Sequence, residues 1–207
     1  VRADELLVAI GRRPNSEDVG VEEVGLEPGK PVEVDDEMRA TGAASDWLYA
    51  IGDVNGRALL THMGKYQARI AADVILGEGG PCLPANADGA RSPRVIFTDP
   101  QVAAVGHTTD SARAAGLSIR TVDLETSGTA GGSFYGRGAP GTSRLVVDQA
   151  RRVLVGATFT GSEVAEFVHA ASIAVAAEVT LDRLWHAVPS FPTRSEIWLR
   201  LLEAYGL

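Results

Sequence analysis

One stretch near residue 50 limits what this chain can fold into. The apolar run Trp47–Ile51 ends at Gly52-Asp53, and Thr61 then opens a segment with helical apolar spacing that continues to Leu76. A buried strand, a short loop and an amphipathic helix form the basic unit of α/β layers. We predict this unit here, with Thr61 as N-cap and Gly77 as the terminating residue of the helix. The residues predicted for its buried face are Tyr66, Ile70, Ala71, Val74 and Ile75.

A linker-like segment divides the chain into two parts. Glu78–Ser92, EGGPCLPANADGARS, is rich in glycine and proline and lacks apolar periodicity, which is typical of a domain boundary. Before it, Glu5–Ile10 predicts a buried strand, and Val32–Val34 with Met38–Ala40 predict a hairpin. These are too few strands to close a sheet alone. The chain also opens at Val1 on a complete predicted strand, so we expect a segment of a longer protein.

The part after the linker predicts strands followed by helices, the pattern of an α+β domain. Ser162 is the expected cap of a long helix that ends near Glu178, and Thr193 caps a last helix. Thr109 is expected to cap a short helix that ends at Gly116, and Thr180 to cap another. The predicted strands are Val95–Thr98, Val102–Val105, Leu117–Leu124, Arg144–Val147 and Val153–Thr160. Side chains expected to share one face of the last strand are Val153, Val155, Ala157 and Phe159.

Composition excludes several classes of partner. The 207 residues carry a net charge of -8 and lack the clustered Lys and Arg that nucleic-acid binding requires. We find no apolar stretch near the roughly 20 residues that span a bilayer. The 4 histidines have no metal-ligand spacing. The single cysteine, Cys82, excludes an internal disulfide and predicts a reducing, cytoplasmic location. We expect no nucleic-acid, membrane or metal partner.

Asp53 stands where α/β sheets bind ligands, at the end of a predicted strand. Its carboxylate can accept hydrogen bonds from sugar or polyol hydroxyls. Gly52 has no Cβ and so permits close approach of a ligand. The helix start at Thr61 offers N–H groups and a partial positive charge. These features describe one end of a cofactor site, although a strand that ends in Gly-Asp is more often only a turn.

Several motifs match one family in sequence and in order. WLYAIGDVNG, followed by LLTHMGKYQAR, resembles the second FAD motif of the pyridine nucleotide–disulfide oxidoreductases. AIGRRPN resembles the place where the family's NAD(P) domain returns the chain to its FAD domain. PRVIFTDPQVAAVG and the closing FPTRSE resemble its C-terminal dimerisation domain. The resemblance covers nearly the whole chain.

The resemblance implies both a fold and an FAD site. Asp53, with Gly52, would bind the ribityl or pyrophosphate part of FAD, and Leu60, Thr61 and His62 would present the helix start to the pyrimidine edge of the flavin. The implied fold is α+β, a partial FAD-binding α/β segment followed by the mixed α+β dimerisation domain. Its expected divisions are the end of the NAD(P) domain with the C-terminal part of the FAD domain at 1–80, a linker at 81–92, and the dimerisation domain at 93–207.

One position departs from the family pattern. In the disulfide reductases a histidine precedes Pro-Thr near the C-terminus, and a glutamate orients it for proton transfer. Here Phe191 occupies the histidine position, whereas Glu196 remains as the candidate catalytic residue. Thr193 and Glu196 also have the spacing of a capping box, and we weigh capping above catalysis.

The function implied by the resemblance is that of the C-terminal part of an FAD-dependent NAD(P)H oxidoreductase. The whole enzyme would pass electrons from NADH or NADPH through the flavin to a small-molecule acceptor, such as a quinone, a dye or oxygen. The chain would supply homodimer formation and part of the FAD site, and would be inactive alone. Two alternatives remain: an inactive dimerisation or interaction module, and a dihydrolipoamide dehydrogenase-like disulfide reductase.

Overall fold

A computed structural model describes residues 2–78, 91–136 and 138–207 of the chain. The chain divides into two compact units, Val1–Ala85 and Asn86–Leu207. Residues 81–90 of the predicted linker 81–92, among them Cys82, lie outside the described residues. The predicted domain bounds therefore stay a prediction. None of the helices within the described ranges is both long enough and apolar enough to cross a membrane.

One long helix organises the first unit. Helix α1 spans Thr61–Leu76 and ends at Gly77, whose φ is 68°, so its predicted extent and end are confirmed. Its N-cap is Leu60 rather than Thr61. The fully buried residues are Met63, Gln67 and Ala71. Of the predicted buried face only Ala71 is fully buried, because the helix turns its Gln67 side, rather than its most apolar side, inward.

The strands predicted in the first unit are wrong or reduced to single bridges. Glu5–Ile10 lies outside every helix and strand of the described chain, and Ile10 is 95% exposed. A ladder needs a neighbouring strand, and the described residues provide none for this segment. The predicted hairpin is reduced to isolated bridges between Val34 and Ala40 and between Arg39 and Tyr49. Trp47–Ile51 is irregular and only partly buried.

The second unit contains the predicted sheet. Its described residues form 5 antiparallel strands in the order β1-β2-β5-β4-β3. All of the predicted strands of this unit are confirmed, with shifted bounds, and the mixed helix-and-sheet fold is as expected. The strands are β1 Arg94–Ile96, β2 Gln101–Gly106, β3 Ile119–Glu125, β4 Thr142–Asp148 and β5 Val153–Gly161.

Helices cover both faces of this sheet unequally. On one face, Phe159 packs with Phe167 and Trp198 at ring-centroid distances of 5.6 and 5.7 Å, inside the main core. The long helix predicted from Ser162 is wrong, because a 3-10 turn at Val164–Phe167 precedes a shorter α-helix. The helices are α2 Thr109–Ala114, α3 Val168–Ala176, α4 Leu181–Trp185 and α5 Glu196–Tyr205. Thr109 as the cap of α2 is wrong, because Thr108 is the N-cap and forms a capping box with Ser111, whereas Thr180 is the N-cap of α4 as predicted.

A β-bulge in β5 corrects one predicted face. Val146 pairs with Gly156, but its neighbour Val147 pairs with Leu154, so Val155 is an extra residue. The alternation of side chains reverses at an extra residue. The face predicted for β5 therefore divides between two clusters. Val153 and Val155 pack with Ala112 of α2, whereas Ala157 and Phe159 lie in the main core.

Two glycines with the same backbone angle test how closely the strands approach at this bulge. Gly106 and Gly116 both have φ of 75°, but a Cβ on Gly106 would overlap the carbonyl oxygen of Val155, whereas one on Gly116 meets nothing within 4 Å. We expect Gly116→Ala to destabilise the unit by about 1 kcal/mol through backbone strain alone. Gly106→Ala should cost about 3 kcal/mol or more, because the strands must also separate. Urea denaturation followed by tryptophan fluorescence measures both; equal costs would contradict the close approach.

Candidate functional site

The turn before α1 carries the predicted cofactor residues. Gly52–Asn55 form a single 3-10 turn, and Gly52 has φ of 74°, a region that favours glycine. The Cα of Gly52 lies against Gly64 of α1. A Cβ added to Gly64 would be only 3.2 Å from the Gly52 Cα. The two glycines therefore let the turn pack directly on the beginning of the helix.

The buried side chain of Gln67 holds this turn by hydrogen bonds. Its side chain is 0% exposed, and its Oε1 accepts hydrogen bonds from the Gly52 N–H at 2.7 Å and from the Asn55 amide at 3.0 Å. Asn55 also donates to the carbonyl of Ala50 at 3.1 Å. The amide nitrogen of Gln67 has no hydrogen-bond partner among the described residues. Sequence reasoning missed both side chains; the available signal was a polar residue at helical spacing between Met63 and Ala71.

Asp53 forms an exposed ion pair. The Arg12 Nη1 donates to Asp53 Oδ2 at 2.7 Å and to the Leu59 carbonyl at 2.8 Å. The two charged side chains are 59% and 51% exposed. Exposed pairs contribute only about 0–1 kcal/mol, so this carboxylate can exchange partners at little cost. Sequence reasoning missed this contact, because Arg12 and Asp53 are 41 residues apart in the sequence.

The start of α1 adjoins the same turn. The carbonyl of Leu60 accepts from the N–H groups of Met63 and Gly64 at 2.9 and 3.1 Å. Leu60 is half-buried, whereas Thr61 and His62 are exposed. The apolar side chain of the N-cap Leu60 cannot accept a hydrogen bond, so it gives the positive end of the helix no side-chain cap. A carboxylate acceptor and a helix N-terminus are thus held on one scaffold, which can bind a ligand with both hydroxyls and an electron-rich group.

The predicted catalytic region lies in the second unit. Phe191 is 77% exposed and occupies an irregular segment before α5. The predicted capping box is wrong, because α5 begins at Glu196 itself with Ser195 as N-cap. The Thr193 hydroxyl donates instead to the carbonyl of Ser190 at 2.6 Å. The carboxylate of Glu196 accepts a hydrogen bond from the Gly131 N–H at 3.1 Å.

His107, the most buried histidine of this unit, lines a small cavity of about 160 Å³. Arg91, Arg151 and Glu178 line the same cavity. Burial, followed by the charge of Arg91, lowers the pKa of His107. Its Nδ1 lies 3.2 Å from the Ser111 hydroxyl, while Glu178 is bonded by Arg151 at 2.8 Å. This geometry gives His107 a hydroxyl partner rather than the carboxylate that orients a general base.

Metal ions in proteins are held by sets of His, Cys, Asp or Glu side chains. Within 2–78, 91–136 and 138–207, no group of three or more His, Cys, Asp or Glu residues could hold a metal ion.

Family models match both units. The model for the pyridine nucleotide-disulphide oxidoreductase dimerisation domain matches residues 92–201, and the model for pyridine nucleotide-disulphide oxidoreductase matches residues 1–72. The first match alone covers more than half of the chain.

Curated relatives match along nearly the whole chain. A dihydrolipoyl dehydrogenase of Bacillus subtilis is 29% identical over 204 residues, which is 98% of this chain and 42% of that protein. A dihydrolipoyl dehydrogenase of Mycobacterium tuberculosis is 35% identical over 199 residues, 95% of this chain and 41% of that protein. The chain thus spans about two fifths of the length of the relatives it matches.

Solved structures share the fold. LpdA from Mycobacterium tuberculosis superposes with a TM-score of 0.80 at 24% identity, over 94% of this chain and 41% of that one. The HOCl-induced flavoprotein disulfide reductase RclA from Escherichia coli superposes with a TM-score of 0.81 at 24% identity, over 97% of this chain and 45% of that one. At this identity the likeness shows the fold alone.

Replacing Gln67 tests whether it fixes the turn. Gln67→Leu keeps a side chain of similar size but leaves the Gly52 N–H and the Asn55 amide without their buried acceptor. We therefore expect the free energy of unfolding of the first unit to fall by about 3 kcal/mol. Lys65→Leu, an exposed change on the same helix, should alter it by less than about 0.5 kcal/mol. Urea denaturation measures both. If the two variants unfold at the same midpoint, Gln67 does not fix the turn.

Proposed function

Because the chain belongs to the pyridine nucleotide-disulphide oxidoreductase family, we propose that it is the C-terminal part of an FAD-dependent oxidoreductase that takes electrons from NADH or NADPH. The observation that carries this proposal is the Gly52–Asp53 turn, locked to the beginning of α1 by Gln67 and Gly64. It joins a hydrogen-bond acceptor to the positive end of a helix. FAD, when bound, supplies hydride acceptance and onward electron transfer.

The residues present fit one end of FAD. A carboxylate repels a pyrophosphate, so the ribityl hydroxyls are the better partner for Asp53, which is half-exposed and bonded to Arg12. The glycines at 52 and 64 leave no Cβ between turn and helix. Leu60, Thr61 and His62 would place the helix N-terminus where a reduced flavin gathers negative charge. Each of these assignments is a proposal that rests on the geometry of the first unit.

Flavin binding tests the role of Asp53. In the whole flavoprotein, Asp53→Ala removes the proposed acceptor, and we expect the Kd for FAD to rise at least about tenfold, the effect of losing one or two hydrogen bonds. Asp18→Ala, which removes an exposed carboxylate of the same unit, should leave the Kd unchanged. Titration of apoprotein with FAD, followed by quenching of flavin fluorescence, gives both values. An unchanged Kd for Asp53→Ala would contradict the assignment of Asp53 to FAD binding.

We further propose that the electron acceptor is not a disulfide. The position before Pro192 is Phe191, whose side chain neither donates nor accepts a proton, so protonation of a thiol product would lack its usual group. A quinone, a dye or oxygen needs no such group. The second candidate, a disulfide reductase, is favoured by the names of the curated relatives, which are dihydrolipoyl dehydrogenases.

Restoring the histidine distinguishes these two candidates. In the whole flavoprotein, Phe191→His should raise turnover of a disulfide substrate such as lipoamide on the order of 10²-fold, the usual contribution of a general acid–base group. NADH-driven reduction of a quinone should change little in the same variant. Phe191→Leu is the matched control and should leave both rates near those of the unmodified enzyme. Rapid lipoamide reduction by the unmodified enzyme would support the disulfide reductase instead.

The second unit supports a proposed homodimer. An apolar groove of about 380 Å³ lies between α3, α4 and α5. Contiguous exposed apolar surface of this kind marks interaction sites, and two-fold dimers are the commonest oligomers. Large apolar side chains exposed on this unit include Ile173 (55%), Trp185 (38%), Val188 (82%) and Phe191 (77%).

For the chain alone we propose dimer formation without turnover and with little bound flavin, since it carries only one end of the proposed site. A cytoplasmic location is also proposed, on the basis of the single cysteine.

A further inference from the structure

Two segments of the second unit pack backbone to backbone. The loop at 127–136 and the segment at 190–196 meet where Gly131 contacts Thr193. A Cβ on Gly131 would overlap the carbonyl group of Thr193, so the contact requires glycine. Gly131 has φ of -66°, an ordinary helical value, and therefore space rather than backbone angle is the reason for a glycine here.

Arg194 joins the same two segments by stacking. Its guanidinium lies 4.3 Å from the ring centroid of Tyr135, in the loop, and 4.6 Å from that of Phe167, in the core-side turn. Its Nη2 also donates to the carbonyl of Ser162. A planar guanidinium between two aromatic rings is a favourable cation–π arrangement. The loop is thus attached to the 190–196 segment at Arg194 as well as at Thr193.

Glu196 makes the third attachment. Its Oε2 accepts the hydrogen bond of the Gly131 N–H at 3.1 Å, across 65 residues of sequence. It is also the first residue of α5, where a carboxylate is favoured by the positive end of the helix. Phe191, in the segment before α5, has no group that could exchange a proton with it. Glu196 therefore accepts a hydrogen bond from a backbone N–H, while the residue before Pro192 offers it no proton-exchanging side chain.

We infer that Glu196 is a positioning residue. Its carboxylate serves as a fixed acceptor for the Gly131 N–H and holds the 127–136 loop against the segment that carries Phe191. This role replaces the helix capping expected for Glu196, whereas its catalytic role stays a prediction. It concerns the chain's own backbone, so it stands whether or not the proposed electron acceptor is correct.

Amide exchange of Gly131 in the 207-residue chain tests the inference directly. In Glu196→Ala the N–H loses its acceptor, and we expect it to exchange roughly tenfold faster, as the loss of one hydrogen bond predicts. Glu196→Gln retains a carbonyl oxygen at the same reach and should keep the protection within about threefold of the unmodified chain. Glu203→Ala, on the same helix and paired with Arg200 at 2.9 Å, is the matched control and should change nothing at Gly131.

The outcomes separate anchoring from a general effect on folding. Equal Gly131 exchange in the unmodified chain and Glu196→Ala would overturn the inference, and so would a loss in Glu196→Gln as large as that in Glu196→Ala. If Glu196→Ala does not fold, Glu196→Asp gives the same test, because it keeps the charge but withdraws the acceptor by one methylene. Its Gly131 N–H should then exchange faster while circular dichroism stays unchanged. None of these readings depends on flavin or on turnover.

Discussion

Direct contact between backbones, made possible by glycine, is the constraint on which each unit depends. In the first unit Gly52 lies against Gly64, so the turn that carries Asp53 rests on α1 itself. In the second unit Gly106 lies against the bulge at Val155, and Gly131 lies against Thr193. A side chain at these positions would force the segments apart, because protein interiors have no spare volume to absorb it. The candidate cofactor residues and the 190–196 segment are therefore positioned by the absence of a Cβ.

Buried or half-buried hydrogen bonds then fix these contacts in one arrangement. Gln67 supplies an acceptor inside the first unit, where an unpaired Gly52 N–H would be costly. Glu196 does the same for Gly131 in the second unit. In both cases the acceptor is on a helix and the donor is in a turn or loop. The rigid element thus positions the irregular one, which is the arrangement that a precise binding site requires.

The names of the relatives and the residue at position 191 bear differently on the proposed electron acceptor. The relatives are named as dihydrolipoyl dehydrogenases, whereas the side chain of Phe191 has no group that could protonate a thiol. The structure gives Glu196 a backbone partner at Gly131. The carboxylate of Glu196 therefore satisfies a backbone N–H whichever residue precedes Pro192.

What the sequence alone determined was local or carried by the family motifs. Helix α1 with its end at Gly77, and the strands of the second unit, follow from periodicity and turn residues within a short window. The motif resemblance identified the family. Only the tertiary structure decided the buried face of α1, the extra residue Val155 and the bond from Gly131 to Glu196. These depend on partners that are distant along the chain, up to 65 residues for Glu196, and no local pattern carries that information.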